Sequence, residues 1–122
     1  MNHSFLLVSL LIVITLYSCG SLNAQQETSN CIQNKVEAFK KLSVANPPIA
    51  IYQYYYNGDL VYYVSSPCCD QYTTLYDENC NIICHPSGGI TGNGDGKCPD
   101  FFEKRTNEKV IWQDDRKPSV KL

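Results

Sequence analysis

The distribution of apolar positions along the chain divides it into one helix and a run of strands. From Asn30 onward, Ile32, Val36 and Phe39 recur on one helical face, with Cys31 and Leu42 at its edge and Lys35, Glu37, Lys40 and Lys41 on the polar rim. Asn30 is expected to cap this helix, with Gln33 reaching back as in a capping box, and Asn46-Pro47-Pro48 ends the helical region. Two β-rich runs follow, Ile49 to Tyr56 and Asp59 to Ser65. They are separated by Asn57-Gly58, the strongest short hairpin signal. A two-residue turn sets Tyr56 opposite Asp59 and Ile51 opposite Val64. Alternation then places Ile51, Tyr55, Leu60, Tyr62 and Val64 on the face expected to meet the helix. The other face carries Tyr52, Tyr54, Val61 and Tyr63, an aromatic patch that needs a cover or a partner.

Gln71 to Tyr76 reads as a third strand, Ile82 to Cys84 as a fourth and Lys109 to Gln113 as a fifth. Between Cys84 and Pro99 periodicity disappears, and Gly, Pro, Ser, Asn and Asp mark a long loop. Phe101-Phe102 is expected to return to the core. The fold class is therefore α+β, with one N-terminal helix packed on an antiparallel sheet of four or five strands and stabilised by disulfides. The single Cys-rich domain is expected over 31–113, with a short linker at 25–30 and a polar, fraying tail at 114–122.

The first 24 residues have a different character. Phe5 to Tyr17 is an apolar run too short to span a bilayer comfortably and is followed by small residues, which predicts an export signal over 1–24. Two processing routes fit. Leu16-Tyr17-Ser18-Cys19 has the form of a lipobox, which would remove 1–18 and lipidate Cys19. Cleavage after Ala24 would instead release a secreted protein. Either route places the domain outside the cytoplasm.

The chain has 122 residues and a formal net charge of -2. This leaves room for one domain and supplies no field that would draw it to nucleic acid. Membrane contact is expected only through an N-terminal lipid. Of seven cysteines, Cys31, Cys68, Cys69, Cys80, Cys84 and Cys98 remain beside Cys19. An even set in a small exported domain reads as a disulfide framework with 15 possible connectivities. Adjacent Cα atoms lie about 3.8 Å apart, below the usual disulfide minimum of ~4.4 Å, so Cys68 and Cys69 are each expected to find a distant partner. Cys84 and Cys98 flank the glycine loop; a bridge between them would stabilise the domain by roughly 3 kcal/mol.

The glycine loop invites several chemistries, and spacing removes most of them. A P-loop needs glycine where Thr91 stands and Ser or Thr where Cys98 stands. Asn93, Asp95 and Asp100 suggest calcium, but an EF-hand starting at Asn93 fails at Lys97 and Cys98. Cys80, Cys84, His85 and Cys98 could be written as a zinc site, against which the oxidising export route argues. His85 and Ser87 have no nucleophile elbow, and Asp70, Asp77 and Glu78 are ordinary acidic turn residues. No catalytic residue, metal ligand or cofactor is therefore assigned. The candidate binding residues are Gly88, Gly89, Asn93, Asp95 and Lys97 in the loop, with Tyr52, Tyr54 and Tyr63 in the hairpin. Tyrosine suits both protein contact and carbohydrate stacking.

The stretch VYYVSSPCCDQYTTLYDENCNIICHPSGGITGNGDGKCPDFF resembles an uncharacterised family of exported, often lipid-anchored bacterial proteins typical of Bacteroidetes. CCD at Cys68 to Asp70, LYD at Leu75 to Asp77 and the run from Ile83 to Phe101 carry the resemblance, and VIWQDDR extends it. It implies the compartment and a single domain, and it brings no established activity. Cys80 stands where the family is expected to carry a turn glycine, so the resemblance does not by itself supply a Cys31–Cys80 pairing.

The reading that follows is a non-catalytic binding or interaction module for a protein or glycan outside the cytoplasm, an inhibitor of an exported protease being one version. The alternatives are a hydrolase or metal-dependent enzyme using Asp70, His85, Asp95 and Asp100, and a structural envelope lipoprotein with no ligand.

Overall fold

A computed structural model describes residues 27–68 and 70–118; the expected export signal, Cys19 and Cys69 lie outside them. The chain forms α1 (Asn30–Lys40), β1 (Ala50–Tyr56), β2 (Asp59–Val64), β3 (Thr74–Tyr76), β4 (Ile82–Cys84), the single-turn α2 (Phe101–Lys104) and β5 (Thr106–Gln113). The strands form one antiparallel sheet in the order β4-β3-β2-β1-β5. This is the α+β architecture read from the sequence, with all five strands present.

The hairpin sets the register. Tyr56 lies opposite Asp59, Tyr54 opposite Val61 and Ile51 opposite Val64, the pairing that a two-residue turn dictates. Asn57 and Gly58 take φ of 51° and 86°, so both central turn residues are left-handed. That twist matches the strands, and Asn and Gly adopt it at least cost.

The two faces of the sheet bury separate clusters. On one, Ile51, Leu60, Tyr62 and Val64 pack with Ile32 of α1, flanked by Val36, Phe39 and Trp112. On the other, Tyr54, Tyr56, Val61 and Leu75 pack with Cys84, Cys98 and Phe101. The aromatic patch thus has its cover within the chain. The Phe101 ring lies edge-on to Tyr54 and Tyr56 at 5.7 and 5.4 Å and stacks on Tyr63 at 5.7 Å, distances at which ring quadrupoles attract.

Several local expectations change. The N-cap is Ser29 rather than Asn30, and Gln33 Nε2 donates to Thr28 O (3.0 Å) instead of closing a capping box. Strand β3 begins at Thr74, because Gln71 and Tyr72 are held by the glycine loop. Strand β5 starts at Thr106 and carries two register shifts against β1.

The start of the tail does not fray. Asp114 is buried, and its N–H donates to Ile49 O (2.9 Å). Its carboxylate holds Arg116, whose guanidinium donates to Lys40 O (2.8 Å) and Phe39 O (3.3 Å). Carbonyls at a helix C-terminus lack intrahelical donors and carry the negative end of the dipole, so Arg116 closes α1 from a distant part of the chain.

Candidate functional site

The segment from His85 to Lys97 is built from the end of β4 outward. Cys84 and Cys98 are disulfide-bonded and nearly fully buried, so the base of the loop is fixed in the core. Next to the bridge, the loop clasps the start of β3. Thr73 N–H donates to Ser87 O (3.0 Å), Ser87 N–H donates to Thr73 Oγ1 (3.1 Å), and the two hydroxyls lie 3.0 Å apart. His85 Nδ1 sits 2.9 Å from Thr73 O. A carbonyl only accepts, so Nδ1 carries the proton in this contact. The imidazole also stacks on Tyr72 at 5.0 Å.

Beyond the clasp the loop bonds to itself. Gly88 N–H donates to Gly92 O, Gly92 N–H to Gly89 O and Gly94 N–H to Gly88 O, each at 3.1 Å, and Asp95 N–H donates to His85 O at 2.9 Å. Two glycines are required by space as well as by φ. A Cβ on Gly88 would collide with the Gln71 carbonyl, and one on Gly94 with the His85 carbonyl. The internal bonds consume the amide donors of Gly88, Gly92 and Gly94, which a phosphate cradle would need free.

The polar loop residues are largely turn chemistry. Asp95 Oδ1 accepts from Lys97 N–H (3.0 Å). Desolvation opposes the charge of Asp95, but the backbone donors at Lys97 and His85 outweigh it and hold its carboxyl below the ordinary aspartate value. Asn93 is exposed, with its N–H 3.4 Å from Thr91 Oγ1. Gly89 is buried against the edge of the Tyr72 ring.

The feature that the sequence reading passed over is Ile90. It is 95% exposed, at the outer end of this self-bonded loop. One signal was available: Ile90 is the sole large aliphatic side chain between Cys84 and Cys98. Ile90 and Thr91 are the central residues of the turn closed by Gly92 N–H and Gly89 O. The Ile90–Thr91 peptide is therefore held folded rather than extended, unlike a segment laid along a protease cleft as an added strand.

The hairpin tyrosines serve the interior. Tyr54 is buried and donates to Glu108 Oε2 (2.6 Å), with Arg105 4.8 Å over its ring. Burial first, and then Glu108, push its hydroxyl far above the usual tyrosine range. Tyr52 and Tyr63 are partly buried against the same cluster. Tyr56 donates to Asp100 Oδ1 (2.6 Å), whose other oxygen pairs with Lys104 (2.6 Å).

Of the candidate enzyme residues, His85 and Asp95 lie together in the loop. Asp100 is committed to Tyr56 and Lys104, and Asp95 to the loop turn. Among the described residues no group of three or more His, Cys, Asp or Glu comes together as a metal site. The zinc arrangement has no thiolates to use, because Cys80 is bonded to Cys31 and Cys84 to Cys98.

Cys68 is itself disulfide-bonded; Cys19 and Cys69 lie outside the described residues. Cys80 takes φ of 61°, the left-handed conformation that explains why glycine suits this turn.

A cleft of about 480 Å³ opens at the other end of the β3–β4 hairpin. It exists because β3 pairs only with Tyr62–Val64, leaving the edge of β2 at 59–61 facing the 77–81 turn. Leu60, Val61 and Ile83 supply apolar walls, with Asp59, Asp77 and Glu78 around them. Asp77 is the fixed member: it accepts from Asn81 Nδ2 (2.9 Å) and from the N–H groups of Asn79 and Asn81 (2.9 and 2.8 Å). The Asn81 side-chain bond is the main reason its carboxyl lies below the ordinary range.

A disulfide-bonded α+β domain defines a class rather than an activity. Residues 37–114, well over half of the chain, match the family described as a domain of unknown function (DUF6970), and the chain belongs to that family. No curated protein and no solved structure matches it.

Proposed function

We propose that the protein is an exported, disulfide-stabilised binding module that engages a protein partner outside the cytoplasm through the loop from Gly88 to Lys97. The observation that carries this reading is Ile90, 95% exposed on a loop fixed by a buried disulfide and four internal backbone hydrogen bonds. A loop already ordered pays little entropy on association, and burying one isoleucine is worth about 1.5–3 kcal/mol. The same loop carries Thr91, Asn93 and Lys97 as exposed polar groups, the composition of an interface rim. A protein partner is favoured over a glycan because sugars stack on aromatic faces, and Tyr54 and Tyr63 are engaged with Phe101. The folded turn at Ile90 favours a knob entering a pocket over a strand-like protease inhibitor.

Export and the resemblance to lipid-anchored proteins support a place at the cell envelope, held by a lipid on Cys19 or released after Ala24. No helix among the described residues is long and apolar enough to cross a membrane. Palmitate labelling that disappears in Cys19→Ala supports the anchor; labelling that persists excludes it. The binding reading is tested by affinity capture of the exported form from its native surroundings, beside Ile90→Asp. Loss of a discrete partner at unchanged melting temperature supports the loop. Capture that is equal in both rejects it.

A further inference from the structure

The loop knob and the acidic cleft lie at opposite ends of the β3–β4 hairpin. The loop leaves β4 beside Thr73 and Thr74, where β3 begins, while the cleft opens at the 77–81 turn, where β3 ends. The knob consists of exposed Ile90 with Lys97, the cation of its loop. The cleft offers Ile83, 40% exposed, as its apolar wall over the buried Leu60 and Val61, and Asp59 and Glu78 as exposed carboxylates. Its volume of about 480 Å³ exceeds an isoleucine side chain. The two surfaces are complementary in shape class and in charge.

We propose that Ile90 of one copy seats in this cleft of a second copy, with Lys97 facing Asp59 and Glu78. The proposal rests on the loop being a binding surface and adds that one of its partners is the chain itself. Knob and cleft lie at opposite ends of one hairpin, so copies can exchange them reciprocally about a two-fold axis or add them head-to-tail. The apolar seat supplies most of the affinity, and the charges set orientation and salt sensitivity. Asp77 stays out of the exchange, since its carboxylate is held by Asn79 and Asn81.

The test is sedimentation velocity of the processed, exported protein across a hundredfold concentration range under non-reducing conditions. The expected result is a sedimentation coefficient that rises with concentration and falls back as salt is added. Ile90→Asp should weaken association about tenfold or more. Lys97→Glu and Glu78→Lys should each weaken it several-fold, and mixing those two variants should restore it. All three sites are exposed, so circular dichroism should show unchanged folding. A concentration-independent monomer, or association indifferent to Ile90→Asp, overturns the proposal. If the monomer nevertheless captures an envelope protein through Ile90, the self-contact falls and the binding-module reading stands.

Discussion

Gly92 and Gly94 sit two residues apart in the same loop with nearly the same φ, 76° and 70°. Their surroundings differ. An added Cβ at Gly92 meets nothing within 4 Å, whereas at Gly94 it runs into the His85 carbonyl and comes within 2.7 and 2.9 Å of Pro86 C and Ser87 N. Alanine in the left-handed region costs about 1–2 kcal/mol, and the stiffer unfolded chain returns about 0.4–1 kcal/mol. Gly92→Ala should therefore destabilise by roughly 1 kcal/mol. Gly94→Ala carries the same backbone cost, and the loop must also shift. That shift breaks Asp95 N–H to His85 O and Gly94 N–H to Gly88 O, at about 1 kcal/mol each. The total is about 3 kcal/mol, or a melting temperature lower by roughly 10–20 °C for a domain of this size. Urea unfolding under non-reducing conditions measures the difference as a shift in midpoint at constant slope. Equal midpoints for the two variants would refute the close-packed loop.

Three further outcomes follow from the same structure. Replacing Cys31 and Cys80 together by alanine should cost about 4 kcal/mol and replacing Cys84 and Cys98 about 3 kcal/mol on chain-entropy grounds. The second pair should lose additional stability because both residues are buried, which thermal unfolding of the two double variants will show. Asp77, Asp100 and Asp114 are held below their ordinary value of 3.8, chiefly by Asn81, Lys104 and Arg116 respectively. A depressed folded pKa adds stability that is complete above the unfolded value, so urea midpoints should fall as pH drops below about 3.8 and keep falling until those folded values are passed. Arg116→Ala should lower the melting temperature and speed amide exchange in the last turn of α1, because Lys40 O loses the guanidinium donor, Phe39 O keeps only Leu42 N–H, and Asp114 loses its cation.

What could be read from the sequence was what short-range physics determines. Asn57-Gly58 imposed the turn, the turn imposed the register, and alternation then assigned the face that meets α1. Features set by distant contacts were not legible. Phe101 covers the tyrosines from well down the chain, and Arg116 closes a helix that ended long before it. The 71–76 strand pattern gave way where Gly88 packs against the Gln71 backbone. The candidate site was half legible: glycines and flanking cysteines marked a stapled loop, while the exposed Ile90 beside the turn residues Asp95 and Asn93 carried no pattern. A lone aliphatic residue in a polar loop reads as noise until the backbone around it proves to be fixed.

The central claim is that a rigid, stapled loop presents Ile90 to a protein partner. Capture of that partner from the protein's native surroundings by wild type, Ile90→Asp and Leu42→Asp tests it most directly. Leu42, 60% exposed just past the C-terminal end of α1, controls for loss of any surface apolar group. The account predicts that the partner is retained by wild type and Leu42→Asp and lost by Ile90→Asp, with all three melting alike. Retention by Ile90→Asp would contradict it.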